Sequence, residues 1–375
     1  MILNNVTTIT GNTPINIQLK NGEMIPVKKG FYSDAIQLTF DNALVFPGLV
    51  NSHDHLDFNL FPQLGDKVYN NYTEWGKYIH ENYKHEIAAV LKVPLTLRVS
   101  WGIFKNLLCG VTTVVNHGEQ LAIDNPPINV EQCHSIHSVQ FEKRWKVKLN
   151  NPFKRRGPVV IHVGEGSDES SNNEIDQLIS WNIFKKKLIG VHGVAMSEDQ
   201  AKKFEALIWC PKSNYFLLNK TAAADHLKKH TTILFGTDST LTGNWNIWDH
   251  IRLARKTQML TDTELYSSLH LGGSASWQTK TDNEGTVVVA KKKDDETSLE
   301  SFYATDPSDI LLVVHNEHIR LFDASLLNQL NHINLNEFSQ ICINGTCKYV
   351  QGDLLGLMEQ IKEYYPEVVF PITAN

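Results

Sequence analysis

The sequence predicts an α/β protein: a parallel sheet or a β/α barrel, joined to a small β domain built from both chain ends. Three observations carry this expectation. From Leu44 to about Ser276, apolar strand-like runs alternate with stretches long enough to hold helices. Before Leu44 and after Ser276 the text changes to short alternating segments punctuated by turn residues. Several of the central runs also end on a histidine or an aspartate, and in a barrel all strand C-terminal ends meet at one face.

Residues 1–44 read as small strands, broken by Gly11, Asn21-Gly22 and Gly30. The central strands are expected at Leu44 to Ser52, Val111 to Asn116, His134 to Phe141, Val159 to His162, Leu188 to His192, Leu207 to Cys210 and Thr232 to Gly236. That makes seven, with no clear strand between Phe141 and Val159. Either Trp145 to Leu149 is a degraded strand or the barrel is incomplete there. Strands resume at Gly285 to Ala290 and Ile310 to Leu321. The charged stretch Lys291 to Ser301 reads as an exposed loop, and the apolar spacing of Leu354 to Tyr365 predicts a helix packed on a core. The expected division is 1–44 with 277–350 as a composite β domain, 45–276 as the β/α unit, and 351–375 as a C-terminal helix and tail.

Bulk properties narrow the function classes. A formal charge of -6 over 375 residues gives no basic field for nucleic acid, and the runs Lys185 to Lys187 and Lys291 to Lys293 read as solvated surface. No stretch approaches the roughly 18 apolar residues of a membrane span, and the N-terminus lacks the pattern of a signal peptide. A cytoplasmic location is therefore expected. The five cysteines are scattered without a CxxC, which favours reduced thiols. Cys342 and Cys347 flank a hairpin signal at Asn344-Gly345, and two buried thiols are expected there rather than a disulfide.

The chemistry is concentrated at strand ends. His53 and His55 are one residue apart at the end of an apolar run, so strand geometry turns both to the same side. His162, His192 and Asp238 close three further runs. Each alone also suits a structural role: a satisfied core histidine, or a helix cap for Asp238. Their common placement makes them a candidate ligand set for zinc or another divalent transition metal. His117 ends another strand and is a candidate substrate contact. Phe58 and Trp75, beside the first motif, are candidates to line a pocket for a flat ring, although aromatic residues are ordinary core material.

The chain resembles the amidohydrolase superfamily, in the branch with mononuclear metal sites that includes cytosine, guanine and adenosine-type deaminases and triazine hydrolases. The resembling text is Val45 to His55, Gly110-Val111-Thr112-Thr113, His162 with Glu165, Gly190-Val191-His192-Gly193, Cys210-Pro211-Lys212-Ser213-Asn214, Gly236-Thr237-Asp238-Ser239 and Asp306 to Val314. The resemblance implies a (β/α)8-type TIM barrel, here incomplete or distorted, with a β-sandwich made from both chain ends. It implies His53, His55, His162 and Asp238 as ligands of one divalent transition metal, zinc first and iron second. Glu165 becomes the proton shuttle and Asp238 a second catalytic group, while His192 bonds the attacking water or the substrate. Members with two metals use a carboxylated lysine from the strand that is not found here. Lys143, Lys146, Lys148 and Lys154 lie nearby and read as surface.

The implied function is hydrolysis of a non-peptide carbon–nitrogen bond, chiefly deamination of a small nitrogen heterocycle by metal-activated water. Alternatives are opening of a cyclic amide or another non-peptide C–N hydrolysis, and a non-catalytic amidohydrolase-like binding protein. The expected partner is a small-molecule substrate, with nucleic acid and membrane excluded and a homo-oligomer allowed. The separate family of zinc deaminases that act on nucleic-acid bases needs His-x-Glu and Pro-Cys-x-x-Cys, and neither is present.

Overall fold

Parallel strands form the centre of the computed structural model, which describes residues 1–20, 23–28, 30, 35–153, 157–270, 285–293 and 296–374. They are β1 (Leu49–Asp54), β2 (Val111–Asn116), β3 (Asn129–Gln132 and His134–Ser138), β4 (Val159–Val163), β5 (Leu188–His192), β6 (Ala206–Trp209) and β7 (Thr232–Phe235). Each pairs in parallel with the next. The amides of Thr237 and Asp238, just past β7, both donate to the carbonyl of His53 at 3.1 Å and complete the ring back to β1. Gly236 permits this approach, because a side chain there would collide with His53.

The two stretches of β3 are separated by Cys133 alone, the first bonded to β2 and the second to β4. Two neighbouring parallel strands need a crossover of a dozen or more residues between them, so these stretches are one strand that changes partner at Cys133. Among the described residues the ring therefore has seven strand positions, as the sequence suggests. Trp145–Leu149 is a helix rather than a degraded strand. It buries Trp145 and Leu149, four residues apart, and exposes the three residues between them.

Among the described residues the chain ends build one mixed sheet of ten strands. Strand Gln37–Phe46 ties them together, pairing in parallel with Ile2–Thr8 and antiparallel with Val287–Lys291. Alternation sorts its residues onto two cores. Val45, Val287 and Val289 pack with Leu3, Leu38 and Phe322 on the outer side, while Phe46, Val288 and Ala290 join the core shared with the strand ring. Helix Leu354–Tyr364 forms as its apolar spacing predicts, and beyond it Thr373–Ala374 pairs with Phe338–Ile343 at the sheet edge.

Two expectations are corrected. Part of Lys291 to Ser301 is the start of helix Ser298–Tyr303, which buries Ser298 and Ser301 and is capped by Thr297 accepting from the amide of Glu300. Cys342 and Cys347 are half-buried and joined as a disulfide, because the hairpin sets them directly opposite with Cα atoms 4.2 Å apart. The turn at Asn21-Gly22, the boundary near 276–277 and Lys154 lie outside the described residues. Lys143, Lys146 and Lys148 are exposed. Among the described residues no single helix is long and apolar enough to cross a membrane.

Candidate metal centre

His53 and His55 leave the end of β1 on the same side, and the ends of β4 and β7 bring His162 and Asp238 against them. The Nε2 of His162 lies 3.2 Å from that of His53 and 3.3 Å from that of His55. Oδ1 of Asp238 lies 3.6 Å from each of the same two nitrogens. Zinc bound to imidazole nitrogen and carboxylate oxygen at about 2.0–2.1 Å in a tetrahedron sets its donors about 3.3–3.4 Å apart. These four edges, 3.2–3.6 Å, lie close to that spacing, and the chemistry of the residues suits one divalent cation. The three histidines form a cluster whose ligand atoms all lie within 4.8 Å of one another.

The surroundings prepare these donors. Burial, then the neighbouring His53, lowers the pKa of His55; burial, then His117, lowers that of His162 well below the ordinary value. Neutral imidazoles offer lone pairs to a cation. Burial alone would raise the Asp238 carboxyl, but the hydrogen bond to His53 and the nearby imidazoles of His55 and His192 outweigh it and hold the group low. The Oδ2 of Asp238 accepts from the hydroxyls of Ser213 and Thr242, both at 2.8 Å, which turns Oδ1 to the histidines. Asp238 sits at φ 62° and His192 at φ 71°, left-handed conformations uncommon for residues with side chains.

Beside the donors, Glu165 is buried at 6 % exposure, with Oε1 3.5 Å from Nε2 of His192. Burial, helped by the charges of Asp238 and Glu174, raises its pKa well above the carboxylate range. Burial lowers His192 to about 3. The His192 ring is therefore neutral near pH 7, and its contact with Glu165 is not an ion pair.

A cavity of about 610 Å3 opens above this cluster, with His55, His162, Glu165, His192 and Asp238 at its base. Phe58 and Trp75 line it, Phe58 stacking on His55 with ring centres 5.3 Å apart. His117 is buried behind the cluster, its ring centre 4.3 Å from that of His162, and is not among the cavity-lining residues.

Several neighbours of the site escape sequence reasoning. His137, read as surface or structural, lines the cavity, and its backbone carbonyl accepts from Nδ1 of His162 at 2.7 Å. Its position on β3 was the available signal. Ser213 and Asn214 lie in Cys210 to Asn214, where Pro211 opens helix Pro211–Leu218 and leaves both buried in its first turn. Asn214 bonds Nδ1 of His192 at 2.8 Å.

No family model and no curated protein matches the chain. Solved structures do. An adenosine deaminase from Xanthomonas campestris with bound zinc superposes at TM-score 0.70 with 13% identity, covering 97% of each chain. The chain shares its fold. An atrazine chlorohydrolase from Arthrobacter aurescens TC1 complexed with zinc gives TM-score 0.68 at 13% identity, over 97% of this chain and 100% of that one. An aminofutalosine deaminase from Helicobacter pylori in complex with methylthio-coformycin gives 0.62 at 12%, over 85% and 99%. Coverage this complete spans the strand ring and the terminal sheet together.

Proposed function

We propose that the chain is a mononuclear-metal hydrolase of the amidohydrolase superfamily that cleaves a non-peptide carbon–nitrogen bond, deaminating a small nitrogen heterocycle. The observation that carries this reading is the convergence of Nε2 of His53, His55 and His162, with Oδ1 of Asp238 3.6 Å from the first two. Two deaminases and a chlorohydrolase of triazine type among the solved structures of this fold, two of them with zinc, support it and favour zinc as the metal.

A divalent cation held by these four residues supplies Lewis acidity, which brings the pKa of water toward neutrality. The protein's own groups then handle protons and charge. Glu165, buried beside the donor set with its pKa raised, passes a proton to the ring nitrogen beside the carbon under attack and relays a second, taken from the attacking water, to the departing amine. Asp238 remains a carboxylate and orients the attacking water or takes its proton. His192 directs an N–H at the oxygen that gains charge in the tetrahedral state. Phe58 and Trp75 offer flat apolar surface to a ring.

A non-catalytic binding protein of the same fold would have no use for a buried acid set beside the donors and against His192, which weighs against that alternative. Ammonia release from a panel of purines, pyrimidines and triazines, before and after chelation, tests the proposal. Release that chelation abolishes supports it. Release that survives complete metal removal, or none from any member of the panel with zinc supplied, overturns it.

A further inference from the structure

We infer that Trp209, Thr221 and Asn214 form a one-way hydrogen-bond chain that fixes His192 as the Nε2–H tautomer, which makes all three positioning residues for the reaction proposed above. The chain starts at the indole of Trp209, fully buried on β6, whose Nε1 lies 2.6 Å from Oγ1 of Thr221. An indole N–H only donates, so the threonine oxygen must accept. The hydroxyl then directs its own proton to Oδ1 of Asn214 at 3.2 Å. With the oxygen of the amide committed there, Nδ2 faces Nδ1 of His192 at 2.8 Å and donates to it. A ring nitrogen that accepts carries no proton, and the neutral ring keeps its proton on Nε2.

The opposite arrangement fails at Thr221. Flipping the amide would set its NH2 group beside a half-buried hydroxyl that already receives the indole proton, and the hydroxyl proton would lose Oδ1 of Asn214 as its acceptor. At the far end of the chain the result is consistent, since Nε2 of His192 is the atom 3.5 Å from Oε1 of Glu165. The consequence is chemical. With its lone pair on Nδ1 turned to Asn214, His192 cannot join His53, His55 and His162 as a cation ligand. It is left as a donor aimed into the site. This separates four residues at strand ends that otherwise look alike into three ligands and one donor.

The consequence for turnover rests on the proposed function, but the tautomer can be read without it. The test uses the zinc-loaded full chain labelled with 15N histidine, with His192 assigned by a His192→Gln control. The wild type is expected to show Nδ1 unprotonated and Nε2 protonated. Asn214→Asp, whose carboxylate only accepts, should protonate Nδ1. Thr221→Val, which cuts the chain with little change of shape, should give a mixture of tautomers. Both should keep their zinc and lose kcat by about 10-fold or more, with KM within about twofold. A wild-type His192 protonated at Nδ1 overturns the inference, as does an unchanged tautomer in both variants. If no substrate is ever turned over, the proposed function fails while the nitrogen signals still decide the chain.

Discussion

His162 donates its Nδ1–H to the backbone carbonyl of His137 across 2.7 Å. A carbonyl only accepts, so this bond fixes the proton on Nδ1 and turns the lone pair of Nε2 toward His53 and His55. The donor set thus depends on a ring held by the main chain of the neighbouring strand. Replacing His162 with Gln should weaken zinc binding more than about 100-fold while the fold persists. Competition against a chromophoric chelator measures this, and an unaltered affinity would remove His162 from the donor set.

Glu165 stands apart from the proposed ligands and should be separable from them. Glu165→Gln keeps the shape of the side chain but cannot relay a proton. It should lower kcat by about 10²–10⁴-fold with metal content unchanged. A variant that turns over at the wild-type rate excludes Glu165 from the mechanism.

Asp54 lies between the first two histidines in sequence and faces away from them. It is fully buried, and its Oδ2 accepts from Lys105 Nζ at 3.0 Å, Asn106 Nδ2 at 2.8 Å and Asn51 Nδ2 at 3.2 Å, while Oδ1 accepts from Asn59 at 2.8 Å. Asn51 also donates to Oγ1 of Thr237 and accepts its amide, tying β1 to the strand end that carries Asp238. Lys105→Met removes the one cation from this network and strands a buried carboxylate, at a cost of about 3–5 kcal/mol. Urea denaturation of the metal-free protein gives the figure. A loss below about 1 kcal/mol would contradict the claim that the network holds the histidine strand in place.

The metal-free protein should be acid-sensitive. Burial lowers His192 and His250 to about 3 and His137, His270 and His315 to about 4. The unfolded chain takes up these protons as the pH falls below about 6.5, whereas the folded chain resists until pH 3–4. Stability contributed by the neutral rings is therefore full above about 6.5 and lost across that window. Burial also lowers His55, His117 and His162, while Glu174, raised to about 7 by burial, and Glu165 act in the opposite sense, two acids against eight imidazoles. Melting temperatures from pH 7 to pH 4 should fall steadily, and a flat profile would contradict this balance.

The ends of the apolar strands were the legible part of the sequence. His53, His55, His162, Glu165, His192 and Asp238 stand at or just past them, and one fold brings all such ends together. The seven strand positions were countable for the same reason. What stayed hidden was of a different kind. The carbonyl of His137 acts through the main chain, which no side-chain pattern records. Ser213 and Asn214 were visible as part of a motif, but their partners, Asp238 and His192, depend on how helix Pro211–Leu218 enters the ring. Helix Ser298–Tyr303 was masked by the charged residues before it, and the disulfide by the frequency of free thiols in chains of this composition.

Titration of the metal-free protein with zinc, following ammonia release from a responsive heterocycle, tests the central claim most directly. The account predicts a rate that rises linearly and levels at one zinc per chain. A plateau at two zinc per chain, or a rate independent of added zinc, would contradict it.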